Sequence, residues 1–157
     1  MKNLFLLLII TSVFSFTGKY AKAHCEVPCG IYDDSLRIEL IKEHIGTIKK
    51  AMINIAELSE EGDKNYNQIV RWIITKEEHA VKIQEIVNQY FLTQRVKFPG
   101  SEDKEKYDHY VTQLALCHEM LVYAMKCKQT IDTEFTDKLL NSLEGFSHEY
   151  FENHHEH

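Results

Sequence analysis

Residues 35–59 read SLRIELIKEHIGTIKKAMINIAELS. Ile38, Ile41, Ile45, Ile48, Met52 and Ile55 recur in steps of three and four. That period keeps six apolar side chains on one face of an α-helix and leaves Lys, Glu and Asn on the other. Asp33, Asp34 and Ser35 precede the stripe with side-chain oxygens suited to capping orphan N–H groups, so a helix is expected from about Ser35 to Ser59.

Working outward, Glu60-Glu61-Gly62-Asp63 reads as a turn. A second helix is expected from about Asn65 to Val96, with Ile69, Ile73, Ala80, Ile83, Val87 and Tyr90 on one face, and its length leaves room for a kink or break. Phe98-Pro99-Gly100-Ser101 is the clearest loop. Ser101 is positioned to cap a third helix, from about Glu102 to Lys128, whose stripe is Tyr107, Tyr110, Leu114, Cys117, Leu121 and Ala124. Asp132 or Thr133 opens a fourth helix that ends near Tyr150. Four amphipathic helices with short connections bury their stripes best as an all-α, antiparallel (up-down-up-down) four-helix bundle. Six Gly and two Pro in 157 residues fit few turns and long helices. The chain is long enough for one domain, and Trp72 with the scattered Tyr and Phe residues reads as core.

The segments outside the helices have a different character. Residues 1–23 read as a secretory signal peptide that is removed: Lys2, an apolar run from Leu4 to Phe16, and Ala21-Lys22-Ala23 as a small-x-small cleavage site. The run is 13 residues long, whereas a membrane-spanning helix needs about 20. The expectation is export, to the outside or the periplasm, with no stable membrane association after processing. If the leader is only a processed propeptide, the protein is cytoplasmic. Losing the leader's three lysines takes the net charge from −6 to −9. No basic patch stands out, so nucleic acid is not an expected partner. An acidic surface does not itself attract a small anion.

Cleavage after Ala23 exposes residues 24–33, HCEVPCGIYD, as an irregular N-terminal head; residues 34–151 follow as the bundle and 152–157 as a polar, His-rich tail. His24 then offers two nitrogen donors, its free amine and its imidazole. Cys25 adds a thiolate and a backbone amide, and Cys29 a second thiolate. Pro28 stiffens the path between them and Gly30 lets the chain turn away. Nitrogen and thiolate donors crowded into six residues can wrap a metal in a plane, the geometry of Ni(II) or Cu(II). The same spacing also permits a Cys25–Cys29 disulfide in an oxidising compartment, and spacing alone leaves both open. Cys117 and Cys127 lie about 15 Å apart along one helix, beyond disulfide reach. Cys117 falls on the apolar stripe, and Cys127 reads as an ordinary packed or interface thiol. His118, beside Cys117 and Met120, points to a different face from either and does not make a second metal site. His148, His154, His155 and His157 read as solvated.

His24-Cys25-x-x-Pro28-Cys29-Gly30-x-Tyr32 resembles the N-terminal hook of nickel superoxide dismutases, and it starts at the expected cleavage point. Asn65-Tyr66-Asn67, Lys76-Glu77-Glu78-His79-Ala80 and Met120 to Lys126 resemble segments of the same family, so the likeness covers about residues 24–151. The resemblance implies one nickel ion per subunit, held by His24, Cys25 and Cys29, with the His24 imidazole as axial ligand of oxidised nickel. It implies disproportionation of superoxide to oxygen and hydrogen peroxide by Ni(II)/Ni(III) cycling. Tyr32 is then the residue near the open face of the metal, assigned to gating or ordering substrate. Glu39, in Arg37-Ile38-Glu39, is the candidate for orienting the axial imidazole from outside the ligand set. The family pattern has Asp at the position of Glu26, and Arg at the position of His79, which becomes the second candidate neighbour of that imidazole. The family also implies a homohexamer. Two other functions use the same features. One is a secreted nickel or copper carrier without catalysis; the other is an interaction bundle stapled by Cys25–Cys29.

Overall fold

The computed structural model describes residues 33–152, except residue 61 and the side chain of residue 63. Four long helices account for nearly all of it. They are α1 (Asp34–Glu60), α2 (Tyr66–Glu85, prolonged by a π-helix over Ile86–Arg95), α3 (Lys104–Gln129) and α4 (Glu134–Glu152).

Side-chain bonds between helices give the topology directly. As α1 runs from Asp34 to His44, its partners on the second helix run backward from Tyr90 to His79. Lys76 meets the Cys127 carbonyl and Gln84 meets that of Leu121. His109 faces Glu149, and Glu119 faces Ser142. Asp34 faces Tyr150, and Lys49 faces Asp137. Each neighbouring pair is antiparallel, so α1, α2, α3 and α4 pack in chain order around one core, as the sequence predicts.

The α1 stripe is buried as expected: Ile38, Ile41, Ile45, Ile48, Met52 and Ile55 all face inward. They meet Ala80, Ile83, Val87, Tyr90 and Phe91 from the second helix, Cys117, Met120 and Ala124 from α3, and Leu139, Leu143, Phe146 and Tyr150 from α4. Asp33 caps α1, its Oδ1 accepting from the Ser35 amide at 3.0 Å. The turn after α1 passes through Gly62 at φ 71°, where a Cβ would be strained, into a 3₁₀ turn over Gly62–Asn65.

Several local expectations are corrected. Asp103, and not Ser101, caps α3, accepting from the Lys106 amide at 3.2 Å, so the helix starts two residues later. A β-region Asp with its carboxylate over N3 satisfies an orphan donor as well as Ser would. Trp72 is only half-buried, with the Lys50 ammonium over its ring, and Tyr66, Phe98 and Tyr107 are exposed. Ile73 is also exposed, and its expected place on the inner face is taken by Lys76. The Lys76 ammonium donates to the carbonyls of Cys127 and Lys128 at 2.7 and 2.6 Å and lies 3.1 Å from Glu77. It thereby satisfies two of the orphan carbonyls that end α3 and sits at the negative end of that helix dipole.

The long second helix runs on without a break and widens toward its end. Between Ile86 and Arg95 the backbone takes i→i+5 bonding, and the Val96 amide still reaches the Phe91 carbonyl at 2.8 Å. In an α-helix, residues five apart point about 140° apart. The wider turn brings Tyr90 and Arg95 onto one side, where both reach Asp34.

Candidate metal centre

Asp34, the first residue of α1, joins the described fold directly to the N-terminal head. Its carboxylate accepts from Tyr90 Oη, from Tyr150 Oη at 2.7 Å and from Arg95 Nε at 3.1 Å, while Arg95 Nε also reaches Tyr150 Oη at 3.1 Å. Three helices are thus tied at the point where the head begins. Burial pushes the Asp34 carboxyl upward, but the bonds from Tyr150, Tyr90 and Arg95 outweigh it and hold the pKa below the ordinary carboxylate value. Burial and the Asp34 carboxylate push the Tyr90 phenol up to about 12 and raise Tyr150 as well, so both stay protonated donors at neutral pH. Arg37 stacks on the same cluster, its guanidinium carbon 5.0 Å from the Tyr90 ring centre.

The candidates fall into two groups. His24, Cys25, Cys29 and Tyr32 lie outside the described residues. Glu39 and His79 lie within them. Glu39 is exposed on the second turn of α1. His79 is half-buried on α2 and meets His44 of α1, Nδ1 to Nδ1 at 3.1 Å. The structure therefore brings His79 to a residue that received no role in the sequence analysis. The signal was there: Glu43-His44 and Glu78-His79 repeat one dipeptide on helices expected to pack together. The Asp34–Tyr90–Arg95–Tyr150 cluster was also missed, because its members are far apart in sequence and depend on the π-helical widening.

The remaining cysteines do not compete for a metal. Cys117 and Cys127 are free thiols with no exposed surface. Burial pushes their pKa values to about 12 and about 11. In the metal-free protein these buried thiols stay protonated. Among the described residues no group of three or more His, Cys, Asp or Glu side chains could hold a metal. The sequence places its nitrogen and thiolate donors suited to nickel, His24, Cys25 and Cys29, in the N-terminal head, outside the described residues. Also among the described residues, no helix is long and apolar enough to cross a membrane.

A four-helix bundle preceded by a head rich in His and Cys fits the class of helical metalloproteins. The family model for nickel-containing superoxide dismutases matches residues 19–154, most of the chain, and the protein belongs to that family. No curated protein and no solved structure gives a significant match. The protein is accordingly an oxidoreductase acting on superoxide, with nickel as its cofactor, and the reading as a carrier without catalysis is not favoured. When bound, nickel supplies the redox couple, Ni(II)/Ni(III), through which one superoxide is oxidised to oxygen and a second is reduced to hydrogen peroxide.

Proposed function

We propose that the chain is cut after Ala23 and that the new N-terminus carries the dismutase chemistry. The observation that carries this reading is the family match over residues 19–154, which spans the head and all four helices. In this assignment the His24 amine and imidazole, the Cys25 amide and thiolate, and the Cys29 thiolate would hold nickel. Thiolate and amide donors would raise electron density on the metal and bring Ni(III) into reach, which water ligands would not. Tyr32 would order superoxide beside the metal. Forming peroxide consumes two protons per turnover, and a phenol or bound water near the metal is chemically able to supply them.

Covalent geometry supports a role for Glu39 and His79 around the axial imidazole. Asp34 lies five Cα steps beyond Cys29, a reach of at most about 18 Å. His44, level with His79, lies about 15 Å along α1 from Asp34, and Glu39 is half as far. A carboxylate or imidazole bonded to the outer nitrogen of the axial ring fixes its orientation and raises its basicity.

The family resemblance also supports a homohexamer. Tyr66, Val70, Ile73, Ile74 and Val81 form an exposed apolar stripe along α2, of the kind that subunit contacts cover. The apolar leader supports export over cytoplasmic retention.

The deciding test compares mature protein starting at His24 with a form that keeps one alanine before it. Both are reduced and given one equivalent of nickel. The proposal requires superoxide turnover in the first and its loss in the second, because the amine no longer sits beside the imidazole. Full turnover in the extended form overturns it. Sedimentation of the mature form, with Val70→Asp as the control that should shrink it, tests the assembly.

A further inference from the structure

Two Glu-His pairs meet across the seam between α1 and α2. His44 Nδ1 and His79 Nδ1 are 3.1 Å apart, with ring planes at 89° and centroids 4.8 Å apart. Nothing local in the sequence forces these atoms together, since they come from separate helices. Burial lowers both pKa values, helped at His44 by His79 and Lys82 and at His79 by Lys82. Glu43 opposes the shift on both rings, and Glu78 does so on His79.

The separation is informative. Imidazole nitrogens bind a divalent transition ion at about 2.0–2.1 Å, which puts adjacent donor atoms about 2.9–3.4 Å apart for angles between square and tetrahedral. The observed 3.1 Å falls inside that interval. We propose that His44 and His79 form a second transition-metal site, separate from the N-terminal ligands, that takes a divalent ion such as Ni(II) or Zn(II) through the two Nδ1 atoms. Water completes the coordination. Two protein imidazoles beside the positive Lys82 make a weak, exchangeable site. It uses Nδ1 of His79 and leaves Nε2 for the axial-imidazole contact, so the two roles of His79 do not exclude each other.

The test uses the mature chain carrying His24→Ala, Cys25→Ser and Cys29→Ser, which removes the N-terminal donors, together with His154→Gln, His155→Gln and His157→Gln, which removes the tail. Its outcome is thus independent of the dismutase site. Calorimetric titration with nickel chloride should show one equivalent bound with micromolar affinity. Adding His44→Gln or His79→Gln should weaken binding more than about tenfold, at least what loss of an outer partner costs. X-ray absorption should show nitrogen and oxygen neighbours with two imidazoles. As a check that needs no further substitution, nickel should broaden the His44 and His79 ring proton resonances before those of His109, His118 and His148. Absence of nickel binding overturns the proposal, as does binding that both glutamine variants retain. Either outcome leaves the pair as a simple hydrogen bond.

Discussion

The Tyr150 phenol donates to the Asp34 carboxylate at 2.7 Å, joining the last turns of α4 to the first residue of α1. Arg95 and Tyr90 bond to the same carboxylate. The end of the bundle where the chain leaves the N-terminal head is therefore held by these polar bonds, on top of the aromatic packing of Phe91, Phe146 and Tyr150.

Removing one donor from this cluster should be mild and removing the acceptor severe. Tyr150→Phe should cost about 1 kcal/mol, the net worth of one hydrogen bond. Asp34→Ala leaves Arg95 and two phenols without their acceptor and should cost about 2–3 kcal/mol, allowing for the partial exposure of the pair. Urea unfolding at fixed protein concentration reads both. Because the folded Asp34 pKa is lowered, its contribution is complete above the ordinary carboxylate value and disappears as pH falls through the folded value. Stability of Asp34→Asn should accordingly fall less on acidification than that of the parent.

Lys76 offers a sharper test of a buried charge. It is 3% exposed and holds two α3 carbonyls. Lys76→Ala should destabilise by about 2–4 kcal/mol, from two orphaned acceptors and a cavity. Lys76→Met, which fills the space, should recover part of that loss. If alanine at 76 costs less than about 0.5 kcal/mol, as an ordinary surface change would, the carbonyls have found water.

The four cysteines should divide into two reactivity classes. In reduced, metal-free, folded protein, Cys25 and Cys29 should react with a thiol reagent at neutral pH. Cys117 and Cys127, with thiols raised to about 12 and about 11 and fully buried, should react only on unfolding. Four fast thiols in the native protein would contradict the buried assignment.

His109 gives a second pH signature. Its Nδ1 bonds to the Glu149 carboxylate, and that bond raises its pKa above the ordinary imidazole value. The pair's contribution is present below about 6.5, the ordinary value, and is lost as pH rises through the folded pKa. An NMR titration should find His109 above about 6.5, and Glu149→Gln should bring it down toward that value. No downward movement would mean that the contact is not kept in solution.

By itself the sequence determined the helices and their order, and it names the candidate nickel ligands. The α1 stripe from Ile38 to Ile55 carries a period that only a one-sided helix satisfies. The short connections leave neighbouring helices antiparallel, and His24, Cys25 and Cys29 sit within six residues, so their proximity is covalent. The tertiary structure decided what depends on register between helices. Lys76 finds its carbonyl partners only when the end of α3 is set against it. Trp72 reads as core until the helix rotation turns it half outward. Asp34, Tyr90, Arg95 and Tyr150 become one cluster only when the second helix widens by one residue per bond, and His44 meets His79 only through the α1–α2 register. Periodicity gives a helix its inner face, but the residues that face one another across a seam are chosen by axial shift and rotation, which depend on how all four helices pack at once.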